Sequence, residues 1–543
     1  MAVSGWKRWI PHLREVKDIE DEQLEVQQEE EVKIEYRDEA NRKWWKFFDE
    51  YEYRVTKDEK KARKWWKWYA DTDSPTERKL LLKLDILLTF YSFVLYWVKY
   101  LDQSNLNNAY VTNMKEDLNM KGNDLVNVQA MFTVGSVIFQ IPFAYLFVHA
   151  PINIMLPLMD VGWGLFTLGI FKVNNVSQLK ALRFFVGVFE SAFYPAIHYL
   201  LGAWYKPNEY GRRGGVYYFG QMLGVLTSGL LQSAAFDNLN GVNGLAGWRW
   251  MFIISAIITF PVGIIGFWAL PGTPDKCYSV FLTDDEIRLA RKRMGTKHLE
   301  SPKFFSKEIW KKVIFSWKIY VISFYNILLW NNNNGTSGAY LLWLKSLQRF
   351  GEGQLNRISA ISPGLGIVWI FLTSTSADMF MSRYGAIIGS QIFNFIGNTI
   401  LAVWNVPEGA KWFAFMLQYF GWAMASTFYG WMGDICRHDP QERSIVLVTS
   451  NILAQAFSAW ISVLVWKTSE APRYLKGFTF TATCAFLLIV FAFLVLWLYK
   501  REEKKNARRN GIILYNSALG EDPETGSTSE VTTVHEQPKE DTN

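Results

Sequence analysis

The feature that most constrains this chain is the gathering of its apolar residues into two long blocks. Charged side chains crowd into residues 1–83, 271–317 and 500–543, whereas residues 84–270 and 318–499 carry few of them. This segregation explains how a chain with 50% hydrophobic residues has a mean hydropathy of 0.00. A membrane-spanning helix needs about 20 consecutive, mostly apolar residues, and both blocks supply such stretches repeatedly. The pattern therefore predicts a protein that crosses a lipid bilayer many times.

Twelve stretches meet this length requirement, six in each block. They lie at residues 86–112, 125–148, 152–172, 179–201, 214–235, 250–270, 318–344, 354–377, 385–404, 411–433, 444–466 and 477–499. Several contain Gly and Pro, which membrane helices tolerate because neighbouring helices satisfy the freed backbone groups. We therefore predict an all-α polytopic membrane protein with 12 transmembrane helices in two six-helix halves. In the middle loop, 271–317, Thr283 and Glu286 have the spacing of a capping box, which predicts a short helix.

The distribution of Lys and Arg predicts the orientation in the membrane. Basic residues are concentrated before the first span, in the middle loop and after the last span. An even number of spans puts these three regions on one side, and the positive-inside rule assigns that side to the cytosol. Both termini are therefore predicted to be cytosolic. Within the tail 1–83, the segments NRKWWKFFDEYEYRV and KKARKWWKWYA fit either interfacial helices on the inner leaflet or a helical tail that packs on the middle loop.

Several classes of protein are disfavoured by what the sequence lacks. The net charge of +6 is spread over tails and loops without a basic stripe, so we expect no nucleic-acid partner. The three cysteines, Cys277, Cys436 and Cys484, have no C-x-x-C spacing and indicate neither a disulfide framework nor a zinc site. No nucleotide-binding, metal-binding or hydrolase motif occurs. We therefore expect no metal, no catalytic residue and no cofactor.

Charges inside the spans are costly and become candidate functional residues. In the first span, Lys99 and Asp102 are three residues apart, which places them on one helix face within reach of an ion pair. The alternative is that both lie at the membrane surface and extend into water. Asn105 and Asn108 follow in the same span and are candidates for substrate binding.

The fourth span carries a second pair, Arg183 and Glu190, which are seven residues apart on one helix face. Glu190 has apolar neighbours on both sides, and burial disfavours its charged form, as a reversible proton carrier requires. His198 lies two turns further along and could pass the proton on. The alternatives are a static ion pair of Glu190 with Arg183 or Lys99, and a helix-packing role for His198.

The seventh span, ISFYNILLWNNNNGTSGAYLLWLKS, is interrupted by four Asn residues and a Gly-Thr-Ser-Gly run. Helices broken at mid-membrane expose backbone and amide groups that can bind a substrate, whereas the alternative is a short extracellular loop between two shorter helices. The candidate substrate-binding residues here and in other spans are Tyr194, Gln221, Trp330, Asn331, Asn334, Tyr340 and Gln418. Singly, neutral polar residues such as these more often join helices than bind ligands.

Six plus six spans around a basic middle loop resemble the major facilitator superfamily, whose paired halves rock around a central site. YWVKYLDQSNLNNAYVTNMKEDLNMKGNDL is similar to the first-span signature of the fungal anion:cation symporter, or allantoate permease, family. RFFVGVFESAFYPAIHYLLGAWY resembles the fourth span of that family, and the resemblance assigns proton coupling to Glu190. LAGWRWMFII matches the start of its sixth span. ADMFMSRYG resembles the superfamily's loop between spans eight and nine, with Asp378 and Arg383 as gate charges.

One departure from the family narrows the resemblance. The Arg that usually follows the first-span Asp is Gln103 here, and the nearby cation is Lys99. This arrangement looks like the branch that contains the yeast biotin and pantothenate permeases and a transporter tied to ethionine-sulfoxide sensitivity. The resemblance implies a monomeric plasma-membrane symporter that uses the proton gradient. Its substrate would be a small organic anion or zwitterion such as a carboxylated vitamin, allantoate or a sulfur-containing amino-acid derivative.

In the implied mechanism, Lys99 or Arg183 pairs with the substrate carboxylate, Glu190 takes the proton, and the Asn residues of the seventh span hold the rest of the substrate. Two other classes remain open. A nutrient sensor with a transporter fold would signal through the long tails instead of carrying flux. A polytopic membrane enzyme is disfavoured because the sequence lacks a catalytic constellation.

Overall fold

The computed structural model describes residues 11–16, 34–62, 67–69, 73–191, 193–294 and 307–521, and most of them are helical. The first half contains α1 (Pro75–Asp117), α2 (Asp124–His149), α3 (Ile152–Lys172), α4 (Val176–Glu190 followed by Phe193–Trp204), α5 (Pro207–Leu239) and α6 (Gly247–Ala269). The second half contains α7 (Trp317–Asn331 followed by Ala339–Ser346), α8 (Glu352–Met379), α9 (Arg383–Val403), α10 (Glu408–Leu417, Phe420–Ala423 and Ala425–Ile435), α11 (Pro440–Val465) and α12 (Leu475–Lys505). The loop between the halves contains the helices Asp284–Met294 and Lys307–Ile314.

Nine of these segments, within the part of the chain that the structure describes, are long and apolar enough to cross a membrane. The other three are α5, which is richer in Gly and polar residues, and α7 and α10, which are interrupted. Each of the twelve predicted spans lies on one of these segments. The predicted all-α architecture of two halves is therefore confirmed, and the structure is consistent with twelve spans.

The two halves repeat the same pattern of helix packing. In the first half α1 packs on α5, α2 on α4 and α3 on α6. In the second half the equivalent pairs are α7 with α11, α8 with α10 and α9 with α12. The halves meet where α5 contacts α8 and where α2 contacts α11.

Glycines let the paired helices of the first half approach closely. A Cβ atom at Gly187 of α4 would lie 2.0 Å from the carbonyl oxygen of Phe132 on α2. A Cβ at Gly224 of α5 would lie 2.5 Å from the carbonyl oxygen of Trp97 on α1. Membrane helices gain stability from such close van der Waals contact because lipid provides little hydrophobic driving force between them. The helices that carry Lys99 and the fourth-span charges are thus held tightly against their neighbours.

The described parts of both tails and of the middle loop lie on one face of the molecule, here called the terminal face. Strand β1 (Glu35–Asp38) of the N-terminal tail pairs in parallel with β2 (Ile512–Tyr515) of the C-terminal tail. Lys83, near the start of α1, forms a 2.7 Å ion pair with Glu286 of the middle loop. The capping box is confirmed, since Glu286 accepts the Thr283 N–H at 2.9 Å and donates its own N–H to the Thr283 hydroxyl at 3.3 Å.

The described residues of the Trp-rich tail segments contact the helices, and Trp44, Trp45 and Trp68 are partly exposed. Around the short 3-10 helix Trp44–Phe48, the side chain of Trp44 is 74% exposed. The following residues pack on the second half, where Arg54 lies 2.9 Å from Asp434 at the end of α10. In the second Trp-rich segment, residues 63–66 and 70 lie outside the described residues, and Trp68 donates a hydrogen bond to Asp85.

Candidate functional site: a central cavity between the halves

A cavity of about 270 Å³ lies between the two halves. Its walls come from α1, α2, α4 and α5 of the first half and from α7, α8, α10 and α11 of the second. Ten of the predicted site residues line it: Lys99, Asn108, Arg183, Glu190, Tyr194, Gln221, Trp330, Asn331, Tyr340 and Gln418. Both halves therefore contribute polar side chains to one cavity, as a central binding site requires.

Glu190 is the last residue of the first helix of α4, and its side chain faces the cavity while being 1% exposed. One carboxylate oxygen, Oε2, lies 3.5 Å from Lys99 Nζ and accepts a hydrogen bond from Gln103 Nε2 at 3.0 Å. The other oxygen, Oε1, has no hydrogen-bond partner among the described residues. The cavity wall therefore holds a buried ion pair whose carboxylate is only partly satisfied.

The predicted pair between Lys99 and Asp102 does not form. Asp102 instead accepts hydrogen bonds from Trp163 Nε1 at 3.2 Å and Thr259 Oγ1 at 3.3 Å. The reason is helix geometry, because Gln103 is four residues from Lys99 and shares its direction more closely than a residue three apart. The face of α1 that carries Lys99 and Gln103 points into the cavity, whereas Asp102 points towards α3 and α6.

Asn105 also lies on this far side of α1 and does not line the cavity. Its Nδ2 donates to Ser255 Oγ at 2.6 Å, and its Oδ1 accepts from Ser228 Oγ at 2.7 Å. Asn105 thus joins α1 to α5 and α6, which is the helix-joining role that a single neutral polar residue usually has. Its neighbour Asn108 lines the cavity while also donating to Ser228 Oγ at 2.8 Å.

Arg183 lines the same half of the cavity and is 3% exposed. Its guanidinium lies 5.1 Å from the centre of the Phe132 ring, in a cation–π arrangement. The Nε atom has no hydrogen-bond partner, and no carboxylate of the described residues lies within 4.0 Å of the guanidinium. The predicted alternative of an Arg183–Glu190 ion pair is therefore not what the structure shows; Lys99 is the cation that pairs with Glu190.

Asp160 of α3 is a charged residue that the sequence analysis missed. It is 1% exposed, and neither carboxylate oxygen has a hydrogen-bond partner in the described part of the chain. It lies close enough to Lys99 and Glu190 for their charges to interact. A lone carboxylate in the apolar stretch INIMLPLMDVGWGLFTLG carries the same signal that identified Glu190.

The prediction of a broken seventh span is confirmed. The first helix of α7 ends at Asn331, Gly338 adopts a left-handed conformation with φ of 75°, and the next helix begins at Ala339. Asn331 and Asn333 line the cavity. Asn334 does not, because its Nδ2 donates to Asn398 Oδ1 on α9 at 3.0 Å. This residue supports the break instead of facing a substrate.

Polar residues of α2 and α11 were missed, although they follow the helical period. Gln129, Thr133 and Ser136 on α2, and Gln455, Ser458 and Ser462 on α11, each line the cavity. A polar stripe at spacings of three and four along an apolar span would have identified them. The aromatic lining residues that were missed are Tyr96, Tyr100, Phe132, Tyr419, Trp422 and Trp466.

Tyrosines lie between the cavity and the terminal face. The hydroxyls of Tyr194 and Tyr218 are 3.1 Å apart, and the rings of Tyr218 and Tyr429 stack with centres 6.0 Å apart. His198 is outside the cavity lining, one turn beyond Tyr194 towards the terminal face, and its Nδ1 lies 2.9 Å from the Tyr194 carbonyl oxygen. A route from the cavity to the terminal face therefore requires these rings to separate.

The predicted gate charges lie beyond this barrier. Asp378 and Arg383 both line a cleft on the terminal face, between the ends of α5, α8 and α10. Arg383 Nη1 lies 2.7 Å from Asp434 Oδ2, and its backbone N–H donates to Glu50 of the tail at 2.6 Å. Asp434 and the tail residue Glu50 were missed because nothing local in the sequence pairs them with Arg383.

Comparisons with known proteins agree with this architecture. A family model described as the Major Facilitator Superfamily matches residues 92–463. The chain is 44% identical over 499 residues to a vitamin H transporter of Saccharomyces cerevisiae, covering 90% of this chain and 84% of that protein. It is 32% identical over 435 residues to a pantothenate transporter of Schizosaccharomyces pombe, covering 79% of this chain and 84% of that protein.

A third relative, a pantothenate transporter of Saccharomyces cerevisiae, is 33% identical over 417 residues, which cover 74% of this chain and 80% of that protein. Among solved structures, a bacterial homologue of the human lysosomal transporter Spinster, inward-facing and unoccupied, superposes with a TM-score of 0.52 at 15% identity. That match covers 79% of this chain and 98% of the other, and it bears on the fold alone.

Proposed function

The chain belongs to the major facilitator superfamily and is a multi-pass membrane transporter, and from that premise we propose that it imports a small carboxylated vitamin by proton symport. The names of its relatives support this substrate class, because they are transporters of vitamin H and pantothenate. We place it in the plasma membrane as a monomer with the terminal face in the cytosol and the proton gradient as its energy source. It uses no cofactor in this proposal.

The observation that carries the proposal is the partly satisfied ion pair between Lys99 and Glu190 in the cavity wall. A substrate carboxylate that enters the cavity competes with Glu190 for the same ammonium group. Glu190 can yield Lys99 only if it becomes neutral, since an unpaired charge in a buried site is costly. A proton on Glu190 therefore makes room for the substrate anion, which links the binding of the two.

Because of this linkage, the proton gradient drives the substrate in the same direction as the proton. Glu190 takes a proton from the side of the membrane opposite the terminal face, and the substrate carboxylate binds between Lys99 and Arg183. With both bound, Lys99 and Arg183 are paired with the substrate and Glu190 is neutral, so the halves can close over the site and part at Tyr194, Tyr218 and Tyr429. With only one bound, an unpaired charge opposes the change, and this opposition prevents a leak of protons or substrate.

The proposal is tested by uptake of labelled biotin and pantothenate into yeast that lacks its own transporters for these vitamins. Uptake of the vitamin by cells with the wild-type protein should rise as the external pH falls from 7.5 to 5. Glu190→Gln should abolish accumulation driven by the pH gradient while it preserves exchange of labelled for unlabelled substrate, because glutamine mimics the protonated side chain. Glu470→Gln, which changes a carboxylate paired with exposed Lys476 on the surface, is the matched control.

Unchanged, pH-driven accumulation in the Glu190→Gln protein would contradict proton coupling through this residue. Competition by allantoate, nicotinate and sulfoxide amino acids in the same assay decides the substrate class. Stronger competition by a sulfur-containing amino acid than by either vitamin would replace the vitamin with that class.

The parallel pairing of β1 with β2 favours a second candidate function, a nutrient sensor that signals through its tails. The ladder joins the two tails at the terminal face, where a change between the halves would alter their spacing. Deletion of residues 1–70 would then abolish signalling and preserve uptake. Loss of uptake with no change in signalling would exclude the sensor.

A further inference from the structure

Six side chains that line the cavity carry a buried polar atom with no hydrogen-bond partner among the described residues. The two halves of the protein contribute groups of different charge. The first half contributes the charged groups Arg183 Nε and Glu190 Oε1. The second half contributes only neutral groups, which are Asn333 Nδ2, Tyr340 OH, Gln418 Oε1 and Trp422 Nε1. Unsatisfied buried polar atoms are costly, so a concentration of them around a cavity indicates a bound partner of matching chemistry.

In the cavity wall formed by the second half, one atom of each side-chain amide already has a hydrogen-bond partner. That bond determines whether the amide offers a donor or an acceptor to the cavity. Gln418 Nε2 donates to Ser362 Oγ at 2.7 Å, and the Ser362 hydroxyl in turn donates to the Phe415 carbonyl at 2.8 Å. Ser362 can therefore only accept from Gln418, which leaves the Gln418 carbonyl as the open acceptor. Asn333 Oδ1 accepts the N–H of Gly335 at 2.8 Å, which leaves its NH₂ as an open donor.

Close packing brings these groups together at the break in α7. A Cβ at Gly421 of α10 would lie 2.5 Å from Asn332 Oδ1 and 3.3 Å from the Cα of Asn333. This approach places Trp422, the next residue of α10, beside the Asn run. The Trp422 ring meets Trp330 edge to face with centres 5.6 Å apart. The wall thus combines aromatic surface with donors from Asn333 and Trp422 and an acceptor from Gln418.

We propose that this wall is a subsite for an uncharged, planar group of the substrate that contains both a C=O and an N–H, of the cyclic urea or secondary amide class. Its N–H donates to Gln418 Oε1, and its C=O accepts from Asn333 Nδ2 and Trp422 Nε1. The substrate carboxylate lies at the opposite wall, near Lys99 and Arg183. This inference rests on the proposed transport of a carboxylated substrate and adds what its other end must be.

The subsite explains selectivity that a carboxylate site alone cannot supply. A site built to hydrogen-bond a polar group rejects an analogue that lacks this group, because its own buried groups are then left unpaired. A straight-chain monocarboxylate offers the charged end only. We therefore expect heptanoate to bind at least ten-fold more weakly than a carboxylate with a cyclic urea or an amide.

The test measures binding to the purified full-length protein in lipid nanodiscs by calorimetry, with biotin (cyclic urea), pantothenate (amide) and heptanoate (neither). Trp422→Phe removes the indole N–H and keeps an aromatic ring, and Gln418→Met removes the acceptor at similar size. Trp250→Phe is the matched control, because the Trp250 indole donates to the Val242 carbonyl at an exposed position and Trp250 does not line the cavity. Thermal melting of each variant verifies that it is folded.

We expect both cavity variants to bind the preferred vitamin at least ten-fold more weakly and to bind heptanoate as the wild type does. A larger loss for biotin than for pantothenate identifies the cyclic urea as the preferred group, and the reverse identifies the amide. Equal affinities of the variants and the wild type, or a wild type that binds heptanoate as tightly as the vitamins, would overturn the subsite alone. A wild type that binds none of the three would overturn the proposed function and the subsite with it.

Discussion

Two groups of buried charges in this protein differ in how completely they are paired. Beside the cavity, Lys99 has one carboxylate, Glu190, at 3.5 Å, and Arg183 and Asp160 have no ion-pair partner within 4.0 Å among the described residues. These residues come from three neighbouring helices of the same half. The group is thus held together by a single long ion pair.

At the terminal face the pairing is closer and more extensive. Asp434 lies 2.7 Å from Arg383 and 2.9 Å from Arg54, and Arg437 lies 2.6 Å from Glu503. These residues come from the N-terminal tail, α9, α10 and α12, and from the short loop after α10. A network of this kind fixes the positions of segments that are far apart in the chain.

The difference in ion pairing indicates different roles for the two groups of charges. Charges that are fully paired at short distance stabilise one arrangement, and removal of one member leaves an uncompensated charge. Charges that are paired incompletely retain capacity for a further partner, which in the proposed function is a proton or a substrate anion. Variants at the two groups should therefore differ in stability, in uptake and in their response to pH.

The largest effect is expected at the terminal face, for Asp434→Asn. This substitution leaves Arg383 and Arg54 without their shared carboxylate, and loss of one member of a buried pair costs about 3–5 kcal/mol. The free energy of unfolding, measured in detergent by denaturant titration, should fall by about 3 kcal/mol. Glu408→Gln, at an exposed pair with Arg349, should leave it nearly unchanged. Similar losses for both would erase the distinction between a structural network and a surface pair.

The next effect is expected beside the cavity, for Lys99→Met. Uptake should fall at least ~30-fold, because loss of one member of a buried, hydrogen-bonded charge pair costs ~2–5 kcal/mol of binding free energy. The fold should survive, since Glu190 can become neutral by taking a proton. Lys476→Met, at an exposed ion pair with Glu470, is the control and should preserve uptake. A Lys99→Met protein that unfolds as readily as Asp434→Asn would show that the central pair is structural too.

The smallest effect is expected for a change of pH, which should alter how firmly the N-terminal tail docks through Glu50. Burial, with a smaller contribution from nearby Asp434, raises the pKa of Glu50 to about 7 against the attraction of Arg383. The docked tail therefore binds a proton that an undocked tail, with the ordinary carboxylate value of 4.5, would release. Docking should be strongest at low pH, weaken as the pH rises towards 7, and level off above that.

Hydrogen exchange of residues 34–62 measures this docking, after correction for the intrinsic pH dependence of exchange. Protection in the wild type should decrease between pH 5.5 and 7.5. Glu50→Gln cannot titrate and should show no decrease, although it keeps His438, whose Nε2 lies 3.3 Å from Glu503. An equal decrease in both proteins would assign the pH dependence to His438 or another group.

Much of the fold was predictable because membrane helices are encoded locally. Each predicted span lies on an observed segment, and the Asn run marks the break in α7 from composition alone. Lys99 and Glu190 were also identified, because a charge in an apolar span is conspicuous. Their pairing was only one of the alternatives, because the three-residue spacing favoured Asp102 for Lys99 and the sequence could not choose between Lys99 and Arg183 for Glu190. Which face of α1 meets the cavity depends on how α1 packs against α5 and α6.

Within the same Asn run the sequence could not separate Asn331 and Asn333 from Asn334. All three share composition and depth, but Asn334 turns to α9 and the others face the cavity. Asp160 was accessible to the same reasoning as Glu190 and was missed. Glu50 and Asp434 were not accessible, because they lie 384 residues apart in the chain and meet only at the terminal face.

The class of protein, the two halves, the approximate bounds of the spans and the residue types available for binding could all be predicted from the amino-acid sequence. These properties follow from apolar length and local breaks, which depend on neighbouring residues alone. The partner of Glu190, the separation of charged and neutral walls in the cavity, and the contacts of the tail with α9 and α10 became apparent only from the tertiary structure. These depend on the rotation of each helix about its axis, which is set by close packing between segments distant in sequence.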